Sequence, residues 1–468
     1  MSAPRPPLLA LALLASACRE TPGDDTSGPL RWDPASTVIL VTVDTLQASF
    51  LWGHDEGWDT APFLQDLFEE GVLLPDVQVA RNLTGPALTT ILTGTYPRDH
   101  KVRENEEVAP TLPLISERFR EVGYRTLGFA ANMCPLLDYG FDETECTDDL
   151  EQPDLGDESD RDDVAAADLL AAIGALDADE PVFAWLHLNQ VHHPYLVVES
   201  WYEAFHPDPY EGDLDVRDVE ALDEITLGRA EATEEDLRHL DAVFASEVRA
   251  TDERIASFTA ALDEMGRWDD AVFVFGADHG EELGDHFDYF YHGCSPYEPV
   301  ARVAFSFRAP GRLPEGVTLD GWVSQADIAP TIVDLASAFE WTDFLAGRSL
   351  VDEMLAGALD EQPAYFERGV ETAGLAFDGH RFMLSGVEGF DACVPYNRDP
   401  AVFPSEPCEL YDLGADPGET ANLADAPGQA ALLEDLADRV CAWVDERPWV
   451  GTDEMMALNG VVRTCATR

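Results

Sequence analysis

Short, almost uninterrupted apolar runs alternate along the chain with longer segments whose apolar residues recur at helical spacing. Thr37–Val43 (TVILVTV), Tyr124–Ala130 (YRTLGFA), Val182–Leu188 (VFAWLHL) and the run from Val272 to Phe275 (VFVF) are brief and rich in β-branched and aromatic residues, so they predict buried strands. Between them, 61–71 carries apolar residues at 63, 64, 67 and 68, and 111–122, 164–176 and the long 237–265 read as helices. Residues 142–163 and 205–236 crowd acidic side chains among few apolar ones and read as surface excursions. Beyond Pro310 the pattern changes. A helix over 327–339 closes the main domain, short strands are expected around 364–367, 375–377 and 381–385, and a final helix spans about 429–444.

The ends of the apolar runs carry the candidate chemistry. Asp44 directly follows the first run, and the run from Val272 passes through Gly276 and Ala277 to Asp278, His279 and Gly280. Open α/β sheets hold their sites at the carboxyl ends of strands, where a carboxylate beside an imidazole makes natural metal ligands. Thr84 places a hydroxyl just ahead of a helical stretch, 87–92, whose first-turn amides suit a tetrahedral anion. The run ending at Leu188 leads to His192, His193, Pro194 and Tyr195, and His292 stands between Tyr291 and Gly293. Asp44, Thr84, Asp278 and His279 offer mostly hard oxygen donors and one nitrogen. Plainer readings stand beside these. An Asp-His-Gly turn can simply cap the next helix, His192 fits a core histidine beside Tyr195, and His292 fits a structural loop residue.

Seven segments occur together in order: VTVDTL at 41–46, the Thr-Gly-Pro to LTGTYP run at 84–97, HLNQVHHPY at 187–195, GADHGEELGDH at 276–286, HGCSPYE at 292–298, VSQADIAPTIVDL at 323–335 and ELYDLGADPGETANL at 409–423. Jointly they resemble the sulfatase family, a branch of the alkaline phosphatase superfamily, from about residue 36 to 445. The resemblance implies an α/β fold: an alkaline-phosphatase-like α/β/α sandwich over 37–344 and a smaller C-terminal subdomain over 345–468, built of an antiparallel sheet plus a helix. It also implies an ester hydrolase in which Asp44, Thr84, Asp278 and His279 hold a divalent metal ion and Thr84 attacks as the metal-activated nucleophile. His192 and His292 would bind oxygens of the transferring group, protonate the leaving group, or hold a second metal; His187, His193 and Asp285 are weaker candidates. One imidazole with three oxygen ligands favours zinc or manganese, with calcium or magnesium possible.

The departures from the family pattern bear on mechanism. Sulfatases carry Cys or Ser followed by x-Pro-x-Arg, and oxidise that Cys or Ser to formylglycine. This chain has Thr84-Gly85-Pro86-Ala87-Leu88. Threonine would give a ketone, and the arginine is absent. Thr45 replaces a second N-terminal acid, Ala131-Asn132-Met133 stands where Lys-x-His is usual, and His279 stands where calcium-dependent sulfatases use Asn. These features resemble the threonine-dependent relatives. The expected function is therefore a metal-dependent hydrolase of sulfate or phosphate esters. A phosphodiesterase, a phosphoethanolamine- or glycerophosphate-type transferase, and a catalytically inactive sulfatase-like binding protein are the alternatives.

Charge and leader narrow the surroundings. The formal net charge is −64, with 92 Asp and Glu against 28 Lys and Arg, and Lys101 is the single lysine. Such a field repels nucleic acid and anionic lipid, so a polyanionic substrate would need the metal to draw it in; the resemblance implies a small-molecule or glycan/lipid ester as partner, with membrane contact only through an N-terminal anchor. Arg5, the apolar stretch 8–15 and Ala15-Ser16-Ala17-Cys18 resemble a bacterial lipoprotein signal over 1–18. Cys18 would be lipidated and 19–36 would form a flexible tether, with plain secretion after Ala17 as the alternative. The protein is expected at the cell envelope, facing the periplasm or exterior. The sequence-near cysteine pairings are Cys134–Cys146, Cys393–Cys408 and Cys441–Cys465, leaving Cys294 over.

Overall fold

The computed structural model describes residues 31–447 apart from 55, 106–109, 148–157, 287–288, 341–345, 369–371 and 386–407. The leader, Cys18, Cys393 and Cys465 therefore lie outside the described residues. The main sheet begins with β1 (Thr37–Val43), β2 (Val72–Gln78), β3 (Arg125–Ala130), β4 (Glu143–Cys146), β5 (Val182–Leu188) and β6 (Val272–Ala277). After a small hairpin of β7 (Glu282–Leu283) and β8 (Phe290–Tyr291), it is completed by β9 (Arg302–Arg308), β10 (Val317–Thr318) and β11 (Val323–Ser324). The order is β10-β2-β9-β6-β1-β5-β3-β4, with β11 also on β2. Only β9 runs against its neighbours. Helices cover the sheet, giving the expected α/β/α sandwich of the alkaline-phosphatase type.

β1 and β5 are buried along their whole length, as unbroken apolar runs must be in a central parallel strand. Their register positions the site. Val43 pairs with Leu188 on one side and Ala277 on the other. Asp44, Asn189 and Asp278 therefore leave the sheet at one level, and the ladder continues through them: the Asp44 amide donates to Leu188 O at 2.8 Å and the Asp278 amide to Val43 O at 3.3 Å.

Several expectations need correction. β2 and β9 were not legible as strands: β2 is interrupted by Pro75 and Asp76, where the register against β9 shifts, a place that tolerates a proline with no N–H to give. The acidic stretch 142–163 is not wholly a surface loop. It contains β4, paired in parallel with β3 and tied by the Cys134–Cys146 disulfide, and the start of the helix expected over 164–176, which runs Glu158–Gly174. The excursion 205–236 likewise contains the helix Val219–Thr226, capped by Asp218. The helix expected over 111–122 starts later, at Ile115, and the long helix runs Glu234–Glu264. The segment expected to be a tether is docked from residue 31: the Ala35 amide donates to Ala336 O at 2.8 Å and Arg312 Nη2 to Asp33 O at 2.8 Å.

A second, antiparallel sheet orders β12 (Ala364–Arg368), β13 (Thr372–Phe377), β14 (His380–Ser385) and β15 (Cys408–Asp412), and the helix Ala430–Glu446 packs on β13 and β14. Its core of Leu375, Phe382, Leu384, Leu410, Val440 and Trp443 is shared with Ala80, Tyr96 and Ala326 of the main unit. One fully buried ion pair crosses the junction, Arg98 Nε to Glu367 Oε2 at 2.6 Å, and Arg381, paired with Glu419 within the small unit, donates from Nη2 to Gln78 Oε1 of β2 at 3.1 Å. The partner expected for Cys408 lies outside the described residues, as does that of Cys441, which is disulfide-bonded.

Candidate active site

Four side chains meet where β1 and β6 end. Thr84 Oγ1 lies 3.4 Å from each Asp44 carboxylate oxygen and 3.3 Å from His279 Nε2. His279 Nε2 is 3.7 Å from Asp44 Oδ1 and 3.5 Å from Asp278 Oδ2. All four are buried. The structure thus brings together Asp44, Thr84, Asp278 and His279.

Backbone geometry fixes each donor. Asp278 Oδ1 accepts from its neighbour's amide, His279 N, at 2.7 Å and from Thr45 N at 3.2 Å. Thr45 holds a positive φ of 55°, a left-handed conformation costly for a β-branched residue, and this turns its amide toward Asp278. His279 Nδ1 faces the Gly280 carbonyl at 2.9 Å; a carbonyl only accepts, so the proton sits on Nδ1 and the Nε2 lone pair points at the oxygens. A Cβ on Gly280 would fall 1.9 Å from Pro299 O, so only glycine permits this approach. Buried Gln325 donates to Asp278 O at 2.6 Å and accepts from the Ala80 amide at 3.1 Å, joining the end of β6 to the loop that delivers Thr84.

These residues fit a divalent cation. Asp278 Oδ2 is buried with no hydrogen-bond partner, in a place surrounded by lone pairs rather than donors. Burial and then the nearby Asp44 charge push the Asp278 carboxyl well above the usual range. Asp44 is also buried, but His187, His192 and His279 hold it well below that range. Two buried acids this close call for positive charge between them. The ligand atoms of Asp44, Asp278 and His279 lie within 4.8 Å of one another.

Thr84 opens the helix Thr84–Thr93, earlier than expected. Three positions of its first turn offer no free amide to an anion: Gly85 N–H donates to Asn105 Oδ1 at 2.8 Å, Pro86 has none, and Ala87 N–H donates to Leu83 O at 3.0 Å. The helix dipole remains.

Beyond His279 lies a histidine wall. Ring centroids of His279 and His292 are 4.5 Å apart, of His192 and His292 5.2 Å, and of His192 and His193 4.3 Å. Burial depresses His192 to about 4, although Asp44 opposes this. His192 Nδ1 faces the His193 carbonyl at 2.5 Å, so the neutral ring carries its proton there and turns a lone pair outward. In that state it does not protonate a leaving group. Glu281, fully buried, takes His292 Nδ1 at 2.9 Å; burial raises this carboxyl, but His292 and His193 hold it down at about 2.

Sequence reasoning passed over four contributors. Asn132 donates to Asp44 Oδ2 at 2.6 Å and also bonds Asn189 Oδ1. Buried Asp162 accepts from the Asn189 and Gln190 amides at 2.8 and 3.0 Å, fixing the turn after β5. Glu281 carried a weak signal, as an acid between His279 and the β7 strand, and so did Asn132, which lies in the segment that stands where Lys-x-His is usual; Asn189 and Asp162 carried none. Of the weaker candidates, His187 sits 3.9 Å from Asp44, too far for a hydrogen bond, with Nδ1 2.8 Å from Thr42 Oγ1. Asp285 accepts from the Leu283 amide in the β7–β8 hairpin.

Known proteins resemble this chain over most of its length. The multifunctional alkaline phosphatase superfamily protein PehA of Trinickia caryophylli is 24% identical over 87% of this chain and 94% of its own. The choline-sulfatase of Rhizobium meliloti (strain 1021) is 24% identical over 92% and 89%. Among solved structures, the phosphonate monoester hydrolase of Silicibacter pomeroyi superposes with a TM-score of 0.69 at 22% identity, covering 88% of this chain and 96% of that one. A protein solved with its substrate D-glucosamine-2-N,6-O-disulfate gives a TM-score of 0.70 at 17% identity, covering 88% and 98%. The family model described as Sulfatase matches residues 36–338, well over half the chain, and this protein therefore belongs to the Sulfatase family of ester hydrolases.

Proposed function

We propose that the protein is an exported, metal-dependent hydrolase in which the Thr84 hydroxyl is the nucleophile and phosphate esters are preferred over sulfate esters. The observation that carries this reading is the position of Thr84 Oγ1, within 3.4 Å of Asp44 and His279 donor atoms and at the start of a helix. When bound, a divalent cation supplies the charge that lowers the pKa of a neighbouring hydroxyl and offsets the negative oxygens of the ester. Asp44 and His279 orient the Thr84 oxygen. As the Thr84 oxygen bonds to phosphorus, the bond to the alcohol oxygen in line with it breaks and the hydroxyl proton passes through solvent to the departing alkoxide; water then cleaves the Thr84 ester, releasing the phosphate product and restoring the hydroxyl. His292, its Nδ1 held by Glu281, lines the wall on the side where the remaining oxygens bind.

Phosphorus is favoured because threonine cannot become the formylglycine that sulfate cleavage in this family relies on. The similar proteins span both chemistries, a choline-sulfatase and phosphonate monoester hydrolases among them. Export rests on the leader, with Cys18 as the lipidated residue of a protein held at the cell envelope. Mass analysis of the mature N-terminus tests it; an intact residue 1 in cells would contradict it.

A panel of chromogenic phosphate diester, phosphate monoester and sulfate monoester, each with zinc, manganese or calcium, tests the substrate class. Phosphodiester turnover above the other two supports the reading. Sulfate turnover alone would contradict the preference for phosphorus, and turnover of none, with metal bound, would contradict the assignment of these substrates.

A further inference from the structure

Two of the ordered segments, 276–286 and 409–423, meet at one buried ring. His286 ends the first of them in the turn between β7 and β8, and its Nε2 lies 3.0 Å from the carbonyl oxygen of Gly418, in the loop that follows β15. We propose that His286, as an imidazolium, is a positioning residue: it fastens the β7–β8 hairpin, which carries Glu281 and His292 at its two ends, to the C-terminal subdomain.

Both ring nitrogens face acceptors. Gly418 O only accepts, so Nε2 carries a proton. Nδ1 lies 3.1 Å from Glu282 Oε1 and 3.3 Å from Oε2, and Ser295 Oγ donates to the same Oε1, so Glu282 receives from both neighbours as a carboxylate does. A ring set between a carboxylate and a carbonyl holds two protons and a positive charge. Burial opposes that charge, but Glu282 first, then Glu419 and Asp285, raise His286 well above its ordinary value. Burial also raises Glu282, which His286 draws back down. The Tyr297 ring stacks on His286, with centroids 4.4 Å apart and planes 15° from parallel, a face that favours a cation, and Tyr297 Oη donates to Glu409 of β15 at 3.0 Å.

The hairpin places one wall of the site. Glu281 directly precedes β7, His292 directly follows β8, and Glu282 pairs with Tyr291 across the hairpin. Consecutive side chains on an extended backbone point to opposite sides, so Glu281 reaches His292 Nδ1 at 2.9 Å while Glu282 turns to His286. Tyr291 also holds a φ of 87°, a conformation costly for an aromatic residue. Two strands of two residues each are too short to hold such a register alone, so ties from outside set where Glu281 and His292 stand.

The inference rests on the proposed function, in which His292 lines the wall of the site, and the test keeps the two apart. Hydrogen–deuterium exchange needs no substrate. In His286→Ala the peptide spanning 281–292 is expected to exchange about tenfold faster or more than in the wild type, with β1 and β5 unchanged. In the same variant kcat for the best ester of the panel is expected to fall about 100-fold, the scale of a 1 Å misplacement, with bound metal unchanged and KM within about threefold. Hairpin exchange equal to that of the wild type, exchange that rises equally in β1 and β5, or a loss confined to KM would each overturn the inference. A wild type that turns over no ester would contradict the proposed function and leave the exchange comparison to decide this one. Where far-ultraviolet circular dichroism shows His286→Ala unfolded, Glu282→Gln, which removes the charge that keeps the second proton on the ring, replaces it with the same outcomes expected.

Discussion

The Asn132 side-chain amide donates to Asp44 Oδ2 at 2.6 Å, and the same nitrogen also meets Asn189 Oδ1. Asn132 comes from the end of β3, Asp44 from β1 and Asn189 from β5, so this amide stitches three neighbouring strand ends into one donor array. Groups that orient a ligating carboxylate typically contribute about 10- to 100-fold in metal affinity. Asn132→Ala is expected to weaken metal binding by that factor with the fold intact, and Asn132→Asp to add a third buried acid beside Asp44 and Asp278. Metal titration followed by calorimetry checks both; unchanged affinity in Asn132→Ala would remove Asn132 from the site.

Gly280 marks how tightly the end of β6 is packed. A methyl group there would sit 1.9 Å from Pro299 O, a backbone atom that cannot swing aside. Gly280→Ala is therefore expected to displace His279 and lower both metal content and thermal stability, whereas Gly414→Ala, whose added methyl would meet nothing nearer than Asp412 Oδ1 at 3.5 Å, has no such contact. Thermal melts of the two variants make the comparison; equal melting points would contradict the packing argument.

The Arg98–Glu367 pair is fully buried and joins the Pro97–His100 helix to β12. Removing one partner strands a charge without water, which costs about 3–5 kcal/mol, while replacing both by apolar groups is often close to neutral. Arg98→Met is expected to destabilise by that amount and Arg98→Met with Glu367→Leu to recover most of it, as read from denaturant midpoints.

His100 gives the stability a pH dependence. Its Nδ1 accepts from Val102 N–H at 3.1 Å and its Nε2 lies 3.2 Å from Thr90 Oγ1, whose own proton goes to Pro86 O at 2.9 Å. The ring is therefore neutral with its proton on Nε2, and burial, with a smaller push from Lys101, lowers it from 6.5 to about 3. Between those values the unfolded chain binds a proton that the folded chain refuses, so this contribution to stability falls as pH drops below 6.5, by up to about 1.4 kcal/mol per pH unit. His100→Gln is expected to show a shallower decline from pH 6.5 to pH 4 in denaturant unfolding; parallel curves would refute the assignment.

Much of the site was legible because chemistry sits at the ends of unbroken apolar runs. β1 and β6 announce themselves by composition, and the first polar residues after them, Asp44, Asp278 and His279, inherit their importance from that position. β2, β4 and β9 were hidden for physical reasons. Pro75 and Asp76 break β2, β4 is Glu-Thr-Glu-Cys with no apolar run, and β9 interleaves Arg302, Ser306 and Arg308 with its apolar residues. Their strand character comes from pairing with neighbours, which no local window contains. Asn189 was illegible, and Asn132 nearly so, because a lone Asn in a loop gains meaning only when β3, β1 and β5 align. Gly85, Pro86 and Ala87 show the opposite failure: a helix N-terminus was readable, but the Asn105 side chain that takes up its first amide was not.

The central claim is that the Thr84 oxygen performs the attack. The most direct measurement compares turnover of the best ester from the panel by the wild type, Thr84→Ser and Thr84→Ala, with bound metal quantified in each. The account predicts that kcat/KM falls by about 10³-fold or more in Thr84→Ala and that Thr84→Ser, which keeps a hydroxyl, retains measurable turnover. Thr84→Ala turning over within about tenfold of the wild type would show that another group attacks and would contradict the mechanism.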